Sequence, residues 1–439
     1  MATRTRLLQS ATMRRGVVIL MGAAVALRWL FCFVVFPHLL AGHSTVGTQY
    51  YFDSYREIAA SLLQGCGYRL ACNGPVALHR PPGYVLFMLA TNPTDPSHCH
   101  LFVQLLNGLL GGVAVWLTFR AAQAWRVGSR GALFAAGIVA FWPFLIWETK
   151  VTVPENVMVV LIPATFLLLA RARASPSAAL ALALGAAAGA TALTHASYEV
   201  LVVGVVAALL WPDFAGSPPR RDGSTTHRAR AAVLVVIAFL AVVSPWVARN
   251  RRIGFTGIAT GFGYHYWKGV YDFDLLLHRG PYFRDNDIPA TEFVDRILRE
   301  RGFEGIDTNP ERSNLEINRF LDHSAALHLR SHVGYTVAKT LVKMPLAWVQ
   351  QQTPKRAAAT AVLLLPLFFL AVRGVARRHD LFPIVIPLLV LNAAFASVFV
   401  EAIPMRYALP LLPLVAILAG AGVGVPGGGE QAADPNGAT

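Results

Sequence analysis

The residues best suited to chemistry lie in the segment 51–82, just after the first long apolar run. Asp53 opens a short amphipathic pattern, and Arg80 directly precedes a pair of prolines. A carboxylate can take a proton from a hydroxyl within hydrogen-bond reach. A guanidinium can bind phosphate oxygens and stabilise negative charge on a departing phosphate. This segment therefore combines a candidate general base with a candidate phosphate-binding group.

Both residues also have ordinary structural interpretations. Asp is favoured at helix N-caps, so Asp53 could cap the helix that follows it. Arg80 could extend its guanidinium toward lipid head groups. His79, directly before Arg80, is a second candidate for contact with a phosphate. The residues alone leave these alternatives open.

Two later polar links contain further candidates. Glu155 follows Pro154 at the start of a helical pattern, where an acid could line a substrate pocket or simply suit the helix dipole. Glu148 and Lys150 lie on the same link. They could pair with each other, or Lys150 could add positive charge near a phosphate. His195 lies on the next link of this side and could contact substrate or anchor a helix at the interface.

Near the C-terminus, Arg406 and Tyr407 precede the last apolar run. Arg406 is another phosphate candidate, and the two residues could equally form an interfacial anchor pair. Asp272 and Asp274 form an Asp-x-Asp sequence, and carboxylates of this kind can hold a divalent cation. Because such pairs are common in polar loops, we expect no metal to be required and keep a divalent ion as an alternative.

The composition predicts a polytopic membrane protein. Of the 439 residues, 55% are hydrophobic and 14% charged, and the mean hydropathy is +0.49. A soluble fold could not bury so many apolar runs. We predict an all-α protein with about ten to eleven crossings, the run 16–36 being an uncleaved first helix. The other predicted crossings are 101–119, 131–147, 153–170, 178–193, 200–211, 231–247, 358–375, 381–400 and 407–425, with 83–90 as a possible part of an eleventh.

The charge pattern predicts the topology. The net charge of +14 suggests a nucleic-acid binder at first, but the arginines recur in short links between apolar runs, which is the pattern that orients membrane proteins. With a cytoplasmic N-terminus, every inner link is basic and should attract anionic lipid head groups rather than nucleic acid. We therefore predict a multi-pass plasma-membrane protein with its site outside. The outer links are 51–82, 148–152, 194–199, 249–352 and 401–406.

The chain divides into regions on this topology. Two short helical patterns, 54–63 and 83–90, are predicted to lie in the membrane interface, as is 333–349. Arg249, Arg251 and Arg252, at the start of the long outer segment, are assigned to lipid head groups rather than to substrate. The predicted regions are a transmembrane catalytic module 1–247 containing the first outer loop 38–98, an outer segment 248–352, C-terminal transmembrane helices 353–425 and a flexible tail 426–439.

The cysteines fit an oxidising outer side. Cys66 and Cys72 flank a short loop and could form a disulfide or remain two free thiols. Cys99 is placed on the same side, and Cys32 lies in an apolar run, where packing is the ordinary role.

The outer-side motifs resemble, in order, those of the membrane-embedded C-type glycosyltransferases. The closest groups are the protein O-mannosyltransferases and the lipid A aminoarabinose transferase. The matching motifs are FDSYREIAASLLQG, HRPPGYVLF, VTVPENVMVVLI, SPWVARN and RYALPLLP, which span the chain from Asp53 to Pro413. The chain departs from many relatives in having Ser54 rather than a second acid after Asp53, in having His195 where a basic residue is common, and in its short outer segment.

The resemblance implies transfer of a hexosyl or pentosyl group from a polyprenyl-phosphate donor to a lipid, glycan or protein acceptor. It makes Asp53 the general base. It implies that Arg80, His79 and Arg406 bind the donor phosphate. Glu155, Glu148, Lys150, His195 and Tyr407 then become pocket residues. Two other classes remain open, namely a transporter or flippase of lipid-linked sugars and a polysaccharide ligase or polymerase of another fold.

Overall fold

The computed structural model describes residues 2–40, 54–212, 224–279, 287–303, 315–349, 354–398 and 407–423, and throughout these ranges the fold is all-α. Asp53 and Arg406 lie outside the described residues. The helices are α1 Ala2–Leu30, continued by a π-helix Phe31–Leu40, then α2 Tyr55–Leu63, α3 Pro82–Leu89, α4 Pro96–Ala124, α5 Ser129–Phe141, α6 Pro143–Glu148, α7 Glu155–Ala174, α8 Ala178–Thr194, α9 Leu201–Leu210, α10 Ser224–Arg252, α11 Phe262–Arg279, α12 Asp287–Arg299, α13 Leu315–Ser331, α14 Val333–Val349, α15 Pro354–Arg377, α16 Phe382–Val398 and α17 Leu412–Val423.

Six stretches of described helix are long and apolar enough to cross a bilayer. Four further apolar helices of 10–17 residues coincide with predicted crossings. At about 1.5 Å per residue they are shorter than a hydrocarbon core of about 30 Å. The all-α class is therefore confirmed for the described residues, and the count of ten to eleven crossings is not. The six are Thr12–Leu39, Pro96–Ala124, Glu155–Ala174, Thr226–Arg252, Pro354–Arg377 and His379–Ala396.

Arginines of the predicted inner links bond the C-terminal ends of neighbouring helices. Arg173 donates to the carbonyls of Ala208 and, at 3.0 Å, of Trp211, where α9 ends. Arg228 donates to the same Trp211 carbonyl at 3.0 Å. The last carbonyls of a helix have no partner within it and carry the negative end of the dipole. These arginines therefore contribute to the packing of the bundle as well as to its orientation.

The outer segment folds as a small helical unit beside the bundle. α11 packs on α13 through a cluster that includes Tyr264, Ile317 and Leu321. α14 then runs against α16, and Trp348 donates to Asn392 Oδ1 at 2.9 Å. The unit is thus joined to a candidate crossing by a direct side-chain hydrogen bond.

α14 buries its lysines and exposes its aliphatic side chains. Lys339 and Lys343 are 0% and 3% exposed, whereas Val337 and Leu341 are 51% and 64% exposed. Lys343 donates to the carbonyl of Gly269 at 3.0 Å, and Lys339 Nζ lies 4.1 Å from the centre of the Tyr266 ring. This arrangement is the reverse of a surface helix in water. An exposed apolar face of this kind is typical of a helix at a membrane interface, as the sequence predicts for α14.

These lysines predict a stability that rises with pH. Burial lowers the pKa of Lys339 to about 8 and that of Lys343 to about 7, and the neighbouring Asp272 offsets only part of the effect. Below these values both lysines are charged in the folded and unfolded chain, so the folded state carries the full desolvation cost. Above these pH values and below 10.5, the ordinary pKa of lysine, the lysines of the folded chain lose their protons while those of the unfolded chain keep them. The free energy of unfolding therefore rises with pH in this range.

We expect a gain on the order of 3 to 4 kcal/mol in unfolding free energy between pH 7 and pH 9, since one pKa unit corresponds to about 1.4 kcal/mol. Melting temperatures measured across this range should rise in the wild type and rise much less in Lys343→Met. Lys355→Met, which removes an exposed lysine, is the matched control and should keep the wild-type slope. Equal slopes in all three proteins would refute the assignment.

Candidate functional site

Arg80 rests on the start of α2. The Tyr55 side chain is buried, meets the Tyr84 ring edge-on with the centroids 4.9 Å apart, and lies under the Arg80 guanidinium, whose Cζ is 5.0 Å from its ring centre. Ser54, and not Asp53, holds the N-cap position of α2, with a left-handed φ of 63°. The Tyr55 ring, which directly follows this strained residue, therefore positions Arg80. Tyr55 lies two residues after Asp53 in the chain.

A second aromatic group holds the loop that carries His79 and Arg80. The Tyr68 hydroxyl donates to the Arg80 carbonyl at 3.0 Å. Burial raises the pKa of Tyr68, and the neighbouring Tyr55 raises it further. The Tyr68 hydroxyl therefore stays neutral and can donate. Tyr68 also packs edge-on against Trp246 of α10, with the ring centroids 4.7 Å apart. The backbone of Arg80 is thus tied to a helix from the middle of the chain.

Arg249, which the sequence assigned to lipid head groups, contacts the loop that carries Arg80. Its Cζ lies 5.1 Å from the Tyr68 ring centre and 4.6 Å from that of Trp246, and it donates to the Ala77 carbonyl at 3.3 Å. A planar guanidinium can stack on aromatic faces while its N–H groups donate to a carbonyl, and Arg249 makes both kinds of contact. Arg249 therefore supports the loop that carries Arg80.

Cys66 and Cys72 are joined by a disulfide, which settles the alternative left open by the sequence. An isolated antiparallel bridge joins Arg69, inside the closed loop, to Val76, beyond it. The Arg69 side chain also donates to the Gly74 carbonyl at 2.9 Å. The other two cysteines, Cys32 and Cys99, are free and buried. The disulfide thus closes the base of the loop on which Tyr68 lies.

We expect Cys66→Ser/Cys72→Ser to lower the free energy of unfolding of this loop by about 2 kcal/mol. A cross-link reduces the entropy of the unfolded chain, even when it closes a short loop. Hydrogen exchange of the amides between residues 64 and 78 should speed up, with little change in α4. An impermeant reductant should reproduce the effect in the wild type and add nothing in the double variant. Unchanged exchange in both cases would contradict this role.

Glu155, His195 and Tyr407 form a second group of site residues. Glu155, in the first turn of α7, is 2% exposed, and its Oε1 lies 4.0 Å from His195 Nε2. The His195 ring meets those of Tyr198 and Tyr407 edge-on, each at 5.7 Å between centroids. The Tyr198 hydroxyl donates to the Tyr407 carbonyl at 3.0 Å. An acid, an imidazole and two tyrosines thus meet where α7, α8 and the segment before α17 converge.

Gly83 brings the two groups together. A Cβ at this position would lie 2.6 Å from Thr194 Oγ1 and 2.8 Å from the Leu193 carbonyl, so the start of α3 touches the end of α8. Arg80 lies three residues before Gly83, and His195 directly follows Thr194. Val157 of α7 also packs on the cluster that contains the Tyr84 ring. The junction therefore joins the Arg80 loop to the Glu155 group.

Glu148 and Lys150 lie on a link that α7 holds in place. Asn156 donates to the Glu148 carbonyl at 3.0 Å. Lys150 is buried, and its Nζ lies 4.1 Å from the ring centre of Phe36 and 4.4 Å from that of Trp147. Burial lowers the pKa of Lys150, and Glu148 opposes this shift. The described contacts of Lys150 are therefore with aromatic rings.

Asp272 and Asp274 lie within α11, so side chains two positions apart project from different sides of the helix. Asp274 accepts a hydrogen bond from the Tyr335 hydroxyl at 2.8 Å, and Asp272 is 1% exposed. No group of three or more His, Cys, Asp or Glu within the described ranges could hold a metal ion. Both carboxylates act on the buried Lys339 and Lys343, whose pKa values they raise.

Comparison with known proteins places the fold. No family model and no curated protein matches the chain. Among solved structures, it is similar to the oligosaccharyltransferase of Archaeoglobus fulgidus tethered to an acceptor peptide that contains the NVT sequon. The identity is 14%, the TM-score 0.50, and the match covers 93% of this chain and 49% of that one. The apo form of the same enzyme gives a TM-score of 0.48 at 12% identity.

The fold is therefore similar to that of this oligosaccharyltransferase, and it agrees with the fold that the resemblance of the outer-side motifs implies. The O-mannosyltransferase or aminoarabinose-transferase subgroup is not confirmed. This chain spans about half the length of the solved neighbour.

Sequence reasoning missed the residues that hold the site together, namely Tyr55, Tyr68, Gly83 and Trp246. One signal was present in SPWVARN, where a tryptophan and an arginine three residues apart share a helix face. Their partner Tyr68 is far away in the chain, so no local pattern connects it to them.

Proposed function

We propose that the chain is a membrane glycosyltransferase that moves a sugar from a polyprenyl-phosphate donor to a lipid, glycan or protein acceptor on the outer face of the plasma membrane. The observation that carries the proposal is the Gly83–Thr194 junction, where the Arg80 loop meets Glu155, His195 and Tyr407. A polar cluster of this kind beside apolar helices is costly in a membrane protein and marks a functional site.

The reaction is a single displacement with inversion. Arg80 and His79, together with Arg406, bind the donor phosphate. Asp53 takes the proton from the acceptor hydroxyl as its oxygen bonds to the anomeric carbon. The bond from that carbon to the phosphate oxygen breaks with its electron pair, and the polyprenyl phosphate leaves. Because phosphate is already a good leaving group, positioning and charge stabilisation are sufficient, and no metal is required.

The second group of residues has the chemistry of a sugar pocket. The carboxylate of Glu155 and the imidazole of His195 can accept and donate hydrogen bonds to sugar hydroxyls. The Tyr407 ring, edge-on to His195, offers an apolar surface beside them. Glu148 and Lys150 extend this pocket along the neighbouring link. The solved neighbour is tethered to an acceptor peptide, which supports a protein acceptor among the possible ones.

Mass spectrometry of cell-envelope glycans and glycoproteins, with and without this chain, tests the proposal in cells. We expect one sugar addition to disappear in its absence. Purified protein in liposomes that carry a labelled polyprenyl-phosphate sugar should form a covalent product with an acceptor extract. Movement of the label across the bilayer without a covalent product would instead identify a lipid-linked-sugar transporter.

A further inference from the structure

A groove opens between α1 and α4, away from the site described above. Toward its closed end the two helices touch through glycines. A Cβ at Gly111 would lie 2.4 Å from Arg28 Nε, and one at Gly112 would lie 2.8 Å from Val25 Cγ2 and 3.4 Å from the Met21 carbonyl. The helices run antiparallel, because earlier residues of α4 meet later residues of α1. Toward the start of α1 and the end of α4, beyond this contact, both helices carry larger side chains.

Where the glycine contact ends, a cavity of about 640 Å³ begins. Val17 and Phe119 are buried and form its floor, whereas Val18 and Trp116 are 64% and 41% exposed and form its rim. A mostly apolar groove of this volume can accept an acyl chain. The cavity is lined by Met13, Arg14, Val17, Val18, Met21, Trp116, Phe119, Arg120 and Gln123.

Both charged residues of the groove lie at the same end. Arg14 precedes the apolar residues of α1, and Arg120 follows Trp116 on the antiparallel α4. Both side chains are exposed. Within the part of the chain that the structure describes, neither guanidinium has a hydrogen-bonding or ion-pair partner. This end is the one that the basic links predict to be cytoplasmic, where anionic lipids concentrate.

We propose that this groove binds one anionic glycerophospholipid, whose phosphate is held by Arg14 and Arg120 and whose acyl chain lies between Val18 and Trp116. Charge complementarity selects the occupant, because two guanidiniums at the mouth of an apolar groove match a phosphate attached to a hydrocarbon chain. The site is independent of the proposed transfer reaction, since it lies on other helix faces and at the opposite end of the bundle in the predicted topology.

The test uses the full-length protein in a zwitterionic detergent, titrated with brominated phosphatidylglycerol or brominated phosphatidylcholine. The chain has nine tryptophans, so the signal from Trp116 is taken as the difference in quenching between the wild type and Trp116→Phe. Arg14→Gln/Arg120→Gln should raise the half-saturating phosphatidylglycerol concentration about tenfold, which corresponds to about 1.4 kcal/mol. The matched control is Arg15→Gln/Arg130→Gln, which removes the same charge from exposed positions outside the groove.

Preference for phosphatidylglycerol in the wild type, lost in Arg14→Gln/Arg120→Gln and retained in the control, supports the site. Equal weakening in the two double variants overturns it, because the effect is then one of surface charge. Equal quenching by both brominated lipids in the wild type also overturns it, and this measurement does not depend on whether any arginine variant folds.

Discussion

Replacing Asp53 by asparagine is expected to lower the kcat of sugar transfer by about 100- to 10,000-fold, which is the usual contribution of a general base. The amide has nearly the same shape as the carboxylate but cannot take the proton from the acceptor hydroxyl. Donor binding should change little, so the KM for the donor should stay close to that of the wild type. The measurement is transfer from a labelled polyprenyl-phosphate sugar by the purified protein in liposomes.

Glu57→Gln is the matched control, since it makes the same change from carboxylate to amide in the short helix that follows Asp53 in the sequence. Glu57 pairs with Arg56 at 2.8 Å in the structure. It should lose only a minor amount of activity. A folded, membrane-inserted Asp53→Asn protein that transfers sugar at the wild-type rate would remove the base from the proposed mechanism, while leaving the phosphate-binding role of Arg80 to be judged separately.

Arg80→Gln is expected to reduce kcat/KM by about 100- to 1,000-fold, the range found when one group that stabilises transition-state charge is removed. Arg80→Lys should recover part of the loss, because an ammonium retains the charge but not the two-point contact with phosphate. A readout beyond activity is the equilibrium binding of a polyprenyl phosphate without sugar, which should weaken in Arg80→Gln. The KM for the acceptor should remain unchanged.

Arg69→Gln provides the comparison for Arg80→Gln. Arg69 lies on the same loop and donates to the Gly74 carbonyl at 2.9 Å, so its loss tests whether any cation in this loop would serve. If Arg69→Gln and Arg80→Gln weaken polyprenyl-phosphate binding equally, the binding depends on the fold of the loop and not on a direct contact with Arg80. If Arg80→Gln binds the polyprenyl phosphate as tightly as the wild type does, Arg80 is not the phosphate ligand.

Local patterns were sufficient for the short outer helices. The predicted helical patterns 54–63 and 83–90 correspond to α2 at Tyr55–Leu63 and α3 at Pro82–Leu89. Their boundaries follow from a glycine after the first and from prolines at the start of the second, which act within a few residues. The sequence carried this information because helix caps are local.

Hydropathy was less reliable for helix length. The run 101–119 lies inside α4, which extends from Pro96 to Ala124. Its first turn contains His98 and is capped by Asp95, whose side chain accepts from the amides of Ser97 and His98. An apolar run marks the part of a helix that meets hydrocarbon, and a capped polar turn can extend beyond it. For the same reason, hydropathy alone does not give the number of crossings when several helices are short.

The candidate site depended on contacts that no local pattern contains. Arg80 was identified because arginine before two prolines is unusual and matches a family motif. Its supports, Tyr68 and Arg249, belong to segments joined only by the fold. Arg249 was assigned to lipid because a basic residue at a helix end has that role by default. Its contacts with the Tyr68 and Trp246 rings, which form only in the folded chain, show that it supports the Arg80 loop.

The contact between Gly83 and Thr194 also has a consequence for biosynthesis. Arg80 leaves the ribosome early, but the surface against which its loop packs belongs to a helix made later. A nascent chain that stops before α8 would hold Arg80 without that surface. The five helices from α4 to α8 must therefore be made before the Arg80 loop can pack, and α10, which carries Trp246, is made later still.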